Sequence, residues 1–144
     1  MVYLLDANVL IALLDPLHLF HNATHRWWAQ PEPRQWASCP LTENAFVRIC
    51  SHPRYGNRPG NASVVATLLR QFIALGNHRF WPDQLSLLDD AHFNLDRVAH
   101  SGELTDVYLL ALAASNQALL ATLDHKLRTH AVRIGADRLH LIDL

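Results

Sequence analysis

Lysine is almost missing from this chain, cysteine is scarce, and no stretch is both long and apolar enough to cross a membrane. A span needs about 20 consecutive apolar residues, and none is present. The opening Met-Val-Tyr-Leu-Leu-Asp lacks the basic start and small-residue cleavage site of an export signal, so a cytoplasmic location is expected. Cys39 and Cys50 are too few and too isolated for a disulfide framework or a zinc site, and reduced thiols are expected. With 144 residues, 50% of them apolar and 17% charged, the composition is that of a folded domain. One domain over 1–144 is expected.

Charge of one sign is also missing locally. From Asn44 to Pro82 there is no acid, while Arg48, Arg54, Arg58, Arg70 and Arg79 supply five positive charges. From Asp83 to Asp106 six acids face the single base Arg97. Arginine suits bidentate phosphate contacts better than lysine does. The stretch 51–61 gathers two prolines, two glycines and two asparagines and reads as a loop. Its Arg54, Tyr55 and Arg58, with Arg48 just before, are candidates for gripping an RNA backbone and stacking on a base. A solvated loop is the plainer reading.

What is present is a repeated arrangement of strand, acid and helix. Val2 to Leu5 form a short apolar run of the kind buried on both faces of a parallel sheet, and Asp6 follows at its carboxyl end. Ligands usually bind there in open α/β sheets, although an Asp in that place also caps the next helix. The apolar run opened by Asn8 is expected to be helical until Asp15-Pro16 ends it. A second helix is expected over 18–30. Its His18, His21 and His25 have no acid or cysteine beside them and read as boundary residues. A loop over 31–33 leads to a strand over 36–39. The helix that begins near Leu41 carries Glu43 in its first turn. Further helices are expected over 63–75 and 87–98, with a strand over 79–81 between them. Thr105 is expected to cap a helix over 107–117 whose first turn holds Asp106, and a buried strand over 118–123 ends at Asp124. A helix over 126–134 and an edge strand over 139–142 close the chain.

Such alternation implies an α/β fold, with a mainly parallel sheet of roughly five strands covered by helices on both faces in a three-layer α/β/α sandwich. Asp6, Glu43, Asp106 and Asp124 then meet at one sheet edge. Four unpaired carboxylates repel one another, and a bound cation is what makes the group sensible. All-oxygen ligation points to Mg2+ or Mn2+ rather than zinc, and hence to phosphodiester hydrolysis.

The blocks Leu-Leu-Asp-Ala-Asn-Val-Leu-Ile-Ala-Leu, Leu-Thr-Glu-Asn, Leu-Thr-Asp-Val-Tyr-Leu-Leu-Ala-Leu-Ala and Leu-Ala-Thr-Leu-Asp resemble the four acidic motifs of PIN-domain proteins. More narrowly, the chain resembles the VapC-type toxins of bacterial toxin–antitoxin pairs over essentially its whole length. The resemblance implies a PIN-like fold and a ribonuclease using one or two Mg2+ or Mn2+ ions. It also implies a homodimer, neutralised by a VapB-type antitoxin and touching DNA only through that antitoxin. Asp6, Glu43 and Asp106 match the core metal-binding acids of that family and Asp124 its more variable fourth. Asn8 and Thr105 then read as groups holding the carboxylates or backbone in place. Glu103 reads as a solvated turn residue.

Three other readings start from the same residues. A haloacid-dehalogenase-like phosphatase wants Asp-x-Asp at the first strand and a lysine before the late acid; here position 8 is Asn and Lys126 follows Asp124. A response-regulator receiver fails on the same lysine. A non-enzymatic module that binds antitoxin and serves as co-repressor is the rival of another class. Four intact acids weigh against it.

Overall fold

The computed structural model describes residues 1–32 and 34–144; the last position of the loop expected over 31–33, Pro33, lies outside them. In chain order the elements are β1 (Val2–Leu5), α1 (Ala7–Leu14), α2 (His21–Trp28), β2 (Gln35–Ser38), α3 (Pro40–Ser51), α4 (Ala62–Ala74), β3 (His78–Phe80), α5 (Leu104–Ser115), β4 (Leu119–Thr122) and β5 (Leu139–Leu141). The strands form one sheet in the order β3-β2-β1-β4-β5, and every pairing is parallel. The sheet thus grows outward from β1 in one direction through β2 and β3, then in the other through β4 and β5. The reversal falls between β1 and β4, where open parallel sheets leave a crevice at the carboxyl ends of their strands.

Period-two alternation sorts the core into two layers. Leu4, Ala37 and Leu120 pack on the α5 face together with Phe93 and residues Val107 to Ala113. Their neighbours Leu5, Trp36 and Ala121 pack on the opposite face against α1, α3 and α4. α5 is buried at every position from Val107 to Ala113, all round the helix. It ends in a Schellman turn: Gln117 adopts φ 57°, its N–H bonds Ala114 O, and the Ala118 N–H bonds Ala113 O at 2.9 Å. Gly135 closes over this end at φ 102°, where an added Cβ would stand 2.1 Å from Ala114 Cβ.

Several expected elements are different. Residues 87–98 form turns with one 3-10 turn at Leu95–Arg97 in place of a helix. The Asp89 carboxylate accepts the Ala91 N–H, and Phe93 bridges to Val132. Residues 126–134 are also turns: Asp124 Oδ1 takes the Lys126 N–H at 2.9 Å, which competes with a helical start. α2 starts at His21 because Asp15 and His18 bond the Leu17 and Phe20 N–H groups and hold the preceding turn. α5 begins at Leu104, with Glu103 at its N-cap, so Thr105 lies inside the helix and caps nothing.

Candidate acidic site at the sheet's switch point

Asp6 leaves the end of β1, and its N–H extends the ladder to β4 by bonding Ala121 O at 3.0 Å. The carboxylate is buried, 8% exposed, and held at both oxygens. Oδ1 accepts the Ala7 N–H at 2.7 Å, capping α1. Oδ2 accepts the Thr122 hydroxyl at 2.8 Å and the Asn8 amide at 3.4 Å. Asn8 braces the crevice between β1 and β4. Its Nδ2 reaches Thr122 Oγ1 at 3.1 Å and its Oδ1 takes the Leu123 N–H at 3.1 Å. Burial pushes the Asp6 carboxyl above its ordinary range and the nearby Asp124 adds to it, opposed by the bonds from Thr122 and Ala7.

Asp106 projects from the first turn of α5. Burial raises its carboxyl to about 6, with further contributions from the charges of Asp6, Asp124 and Glu103. Asp6, Asp106 and Asp124 therefore stand within electrostatic reach of one another at the β1–β4 crevice. Asp124 is two residues beyond the strand end and half-buried; the Thr122 hydroxyl takes its backbone N–H at 3.1 Å.

Glu103 belongs with them, against expectation. It is no solvated turn residue: its side chain is 11% exposed, Oε2 takes the Ala99 N–H at 3.0 Å, and Oε1 lies 3.8 Å from Arg128 Nε. The sequence signal was its place three residues before Asp106 at the helix entry, which puts both acids on one side of the first turn.

Glu43 rises from the first turn of α3 and is tied down differently. Ser38 donates its hydroxyl to Glu43 Oε2 at 2.7 Å, and Ser38 Oγ lies 2.7 Å from His78 Nε2 on the neighbouring strand. With the proton on Nε2, His78 donates to Ser38 and Ser38 to Glu43, a relay that fixes the carboxylate's direction. Burial holds the His78 imidazole below its ordinary value, opposed by the charge of Glu43.

Thr105 does not join the group. It is exposed and lines a separate cavity of about 540 Å3 with Leu41, Asp83 and Tyr108, and it makes no hydrogen bond to any of these acids. The basic loop also sits elsewhere. Tyr55 donates to Asp15, and Asn57 joins it at 2.9 Å. Asp15 ends α1 and Asp6 begins it, so the loop is displaced from Asp6 by the helix length, about 12 Å. The Tyr55 ring packs on the core of that face and is not free to stack on a base. Arg48, Arg54 and Arg58 are exposed. Arg58 is turned back onto Ser51 O at 2.7 Å.

The donor chemistry of the crevice is that of a hard divalent cation: carboxylates alone, with their charges facing one another. Among the described residues no three such side chains already close on a common point.

No family model matches the chain. It is similar to Ribonuclease VapC44 of Mycobacterium tuberculosis, with 38% identity over 141 residues, 98% of this chain and 98% of that protein. Ribonuclease VapC39 of the same organism is 37% identical over 131 residues, 91% of this chain and 94% of its own. Ribonuclease VapC38 is 34% identical over 121 residues, 84% of each.

Proposed function

The chain belongs to the VapC ribonucleases of the PIN-domain family, and from that premise we propose that it is a metal-dependent endoribonuclease, the toxin of a toxin–antitoxin pair. One observation carries the metal dependence. At the switch point burial and neighbouring negative charge, that of Asp124 included, raise the carboxyl groups of Asp6 and Asp106, a cost that a bound cation removes.

Asp6, Glu43 and Asp106 would hold Mg2+ or Mn2+, directly or through water, with Asp124 as the more variable fourth acid. When bound, such an ion supplies a nucleophilic water at neutral pH and offsets the charge that develops on the scissile phosphate. The chain's own groups do the positioning. Thr122, Asn8 and the Ala7 N–H fix both oxygens of Asp6, and the Ser38–His78 relay fixes Glu43. Asp106 rides on the helix that fills the core. Burial and its acidic neighbours raise its carboxyl to about 6, and a bound cation would favour the ionised form.

The remaining proposals come with the family: a VapB-type antitoxin, a homodimer, DNA contact only through the antitoxin, and a cytoplasmic setting with residues 1–144 as one domain. Exposed Leu17 and Leu19, at 78% and 85%, support a surface that a protein partner covers. No helix among the described residues is long and apolar enough to cross a membrane.

The test is cleavage of a mixed cellular RNA pool by antitoxin-free protein in Mn2+, in Mg2+ and in EDTA. Discrete products that need the ion, and that fall at least about 100-fold in Asp6→Asn and Asp106→Asn, are expected. Wild-type rates in both variants would sink the assignment of the site.

A further inference from the structure

The acids alone make a poor host for an anionic polymer. Asp6, Asp106, Asp124 and Glu103 carry up to four negative charges within mutual reach, and one divalent ion offsets two of them. A phosphodiester chain arriving there needs cationic groups from the protein at the same place. The basic loop is too far along α1 to supply them.

A cavity of about 400 Å3 opens beside the acids, walled by His100, Glu103, Asp106, Asp124, Lys126 and Arg128. The only lysine of the chain is thus at the acidic crevice. Its backbone is pinned to the site, because the Lys126 N–H bonds Asp124 Oδ1 at 2.9 Å. Arg128 is aligned from the other side by Glu103, whose Oε1 lies 3.8 Å from Nε while the Ala99 N–H holds the same carboxylate. Among the described residues neither the Lys126 ammonium nor the Arg128 guanidinium makes a hydrogen bond. Arg34 bonds Trp27 O and Tyr3, Arg48 Asn44, Arg58 Ser51 O and Arg79 Gln35; the other arginine side chains share the unbonded state of Arg128 among the described residues, and what sets Arg128 apart is its place on the wall of this cavity.

We propose that this cavity seats the nucleotide flanking the scissile bond of a single-stranded RNA, with Lys126 and Arg128 taking its phosphate. The assignment rests on the ribonuclease reading above and adds where the substrate is gripped. Acids and cations lining one cavity divide the labour between the cut phosphate and its neighbour. The concave shape suits an unstacked nucleotide rather than a duplex. Glu103, by this account, is a positioning residue that holds Arg128 at the mouth.

The experiment measures binding of a fluorescent single-stranded RNA of mixed sequence by full-length protein carrying Asp106→Asn, so that it is not cut, across a salt series. Adding Lys126→Ala with Arg128→Ala is expected to weaken binding about tenfold near 0.15 M salt. The slope of log K against log salt should become shallower by about 1.4, two contacts at about 0.7 each for a single strand. Lys126→Arg with Arg128→Lys should restore most of the affinity. Arg54→Ala with Arg58→Ala should cost distinctly less. In the wild-type background, Mn2+ affinity and melting temperature of the Lys126, Arg128 double variant should not fall, which separates loss of grip from loss of the acid site. Unchanged affinity and slope in a protein whose parent binds RNA overturn this assignment alone. Equal losses from the two pairs of variants overturn it as well, leaving diffuse surface charge. A parent that binds no RNA at any salt overturns it together with the ribonuclease reading.

Discussion

Asparagine at position 106 keeps the shape of the side chain and removes its charge, so Asp106→Asn measures what the acid costs the fold when no cation neutralises it. Burial, then Asp6, Asp124 and Glu103, raise this carboxyl from 3.8 to about 6. A folded pKa above the unfolded one penalises the native state as pH rises. The penalty is absent below about pH 4, grows between 3.8 and about 6, and is complete above that. Two units at about 1.4 kcal/mol each would give about 3 kcal/mol. The side chain is only half-buried, and solvent screening brings the figure to about 1–2 kcal/mol. At about 2–4 °C per kcal/mol for a chain of this size, the variant should melt about 2–8 °C above wild type at pH 7.5 in EDTA. Most of the gain should be lost at pH 4, where the folded carboxyl is neutral and the unfolded one about half ionised. Saturating Mn2+ should reverse the order, because the wild type gains binding energy that the variant lacks. Calorimetry or dichroism at the two pH values reads all of this. A variant that melts no higher than wild type at pH 7.5 in EDTA, or one whose gain persists undiminished at pH 4, refutes the electrostatic argument.

Three further expectations concern groups outside the acids. Ser38→Ala or His78→Phe cuts the relay to Glu43, and Mn2+ affinity measured by titration calorimetry should fall about 10- to 100-fold while the fold survives; an unchanged affinity would deny the relay any role. Tyr55→Phe leaves Asp15 short of a donor and should cost about 1–2 kcal/mol in denaturant unfolding, with RNA affinity unmoved; an RNA defect in that variant would return the loop to the substrate. Gly135→Ala drives a methyl into Ala114 and strains a positive φ, so a loss of at least about 2 kcal/mol is expected; a stability equal to wild type would mean that the 133–138 turn is free to move off α5.

The parts legible in the sequence were those where one local rule acts. A short apolar strand followed by an acid and an apolar helix marks Asp6 and its surroundings without any knowledge of the fold. The five-strand parallel sheet followed from the alternation of elements, and so did its helices on both faces. Residues 87–98 misled because Leu88, Ala91, Leu95 and Val98 fall at helical spacing by chance. There the Asp89 side chain takes a backbone N–H and the pairing of Phe93 with Val132 decides the path. The same competition defeats a helix at 126–134. The Ser38–His78 contact spans 40 positions, and no periodicity announces it. Glu103 was hidden for a different reason. Its neighbours Ser101 and Gly102 read as solvent-exposed turn, and only the packing of 124–128 across it shows that it is enclosed.

The placing of β1 at the centre of the sheet has a consequence for the birth of the protein. β1 is made well before β4, so one of its two edges waits, and the bond from Thr122 to Asp6 joins positions 116 apart. A chain emerging amino-terminus first can fold its early helices against β1 and β2, but it cannot assemble the crevice until Thr122 and Asp124 have left the ribosome. For an enzyme proposed to destroy RNA, this ordering leaves the nascent chain inert until its late acids have been made. A neutralising partner has that interval in which to be waiting.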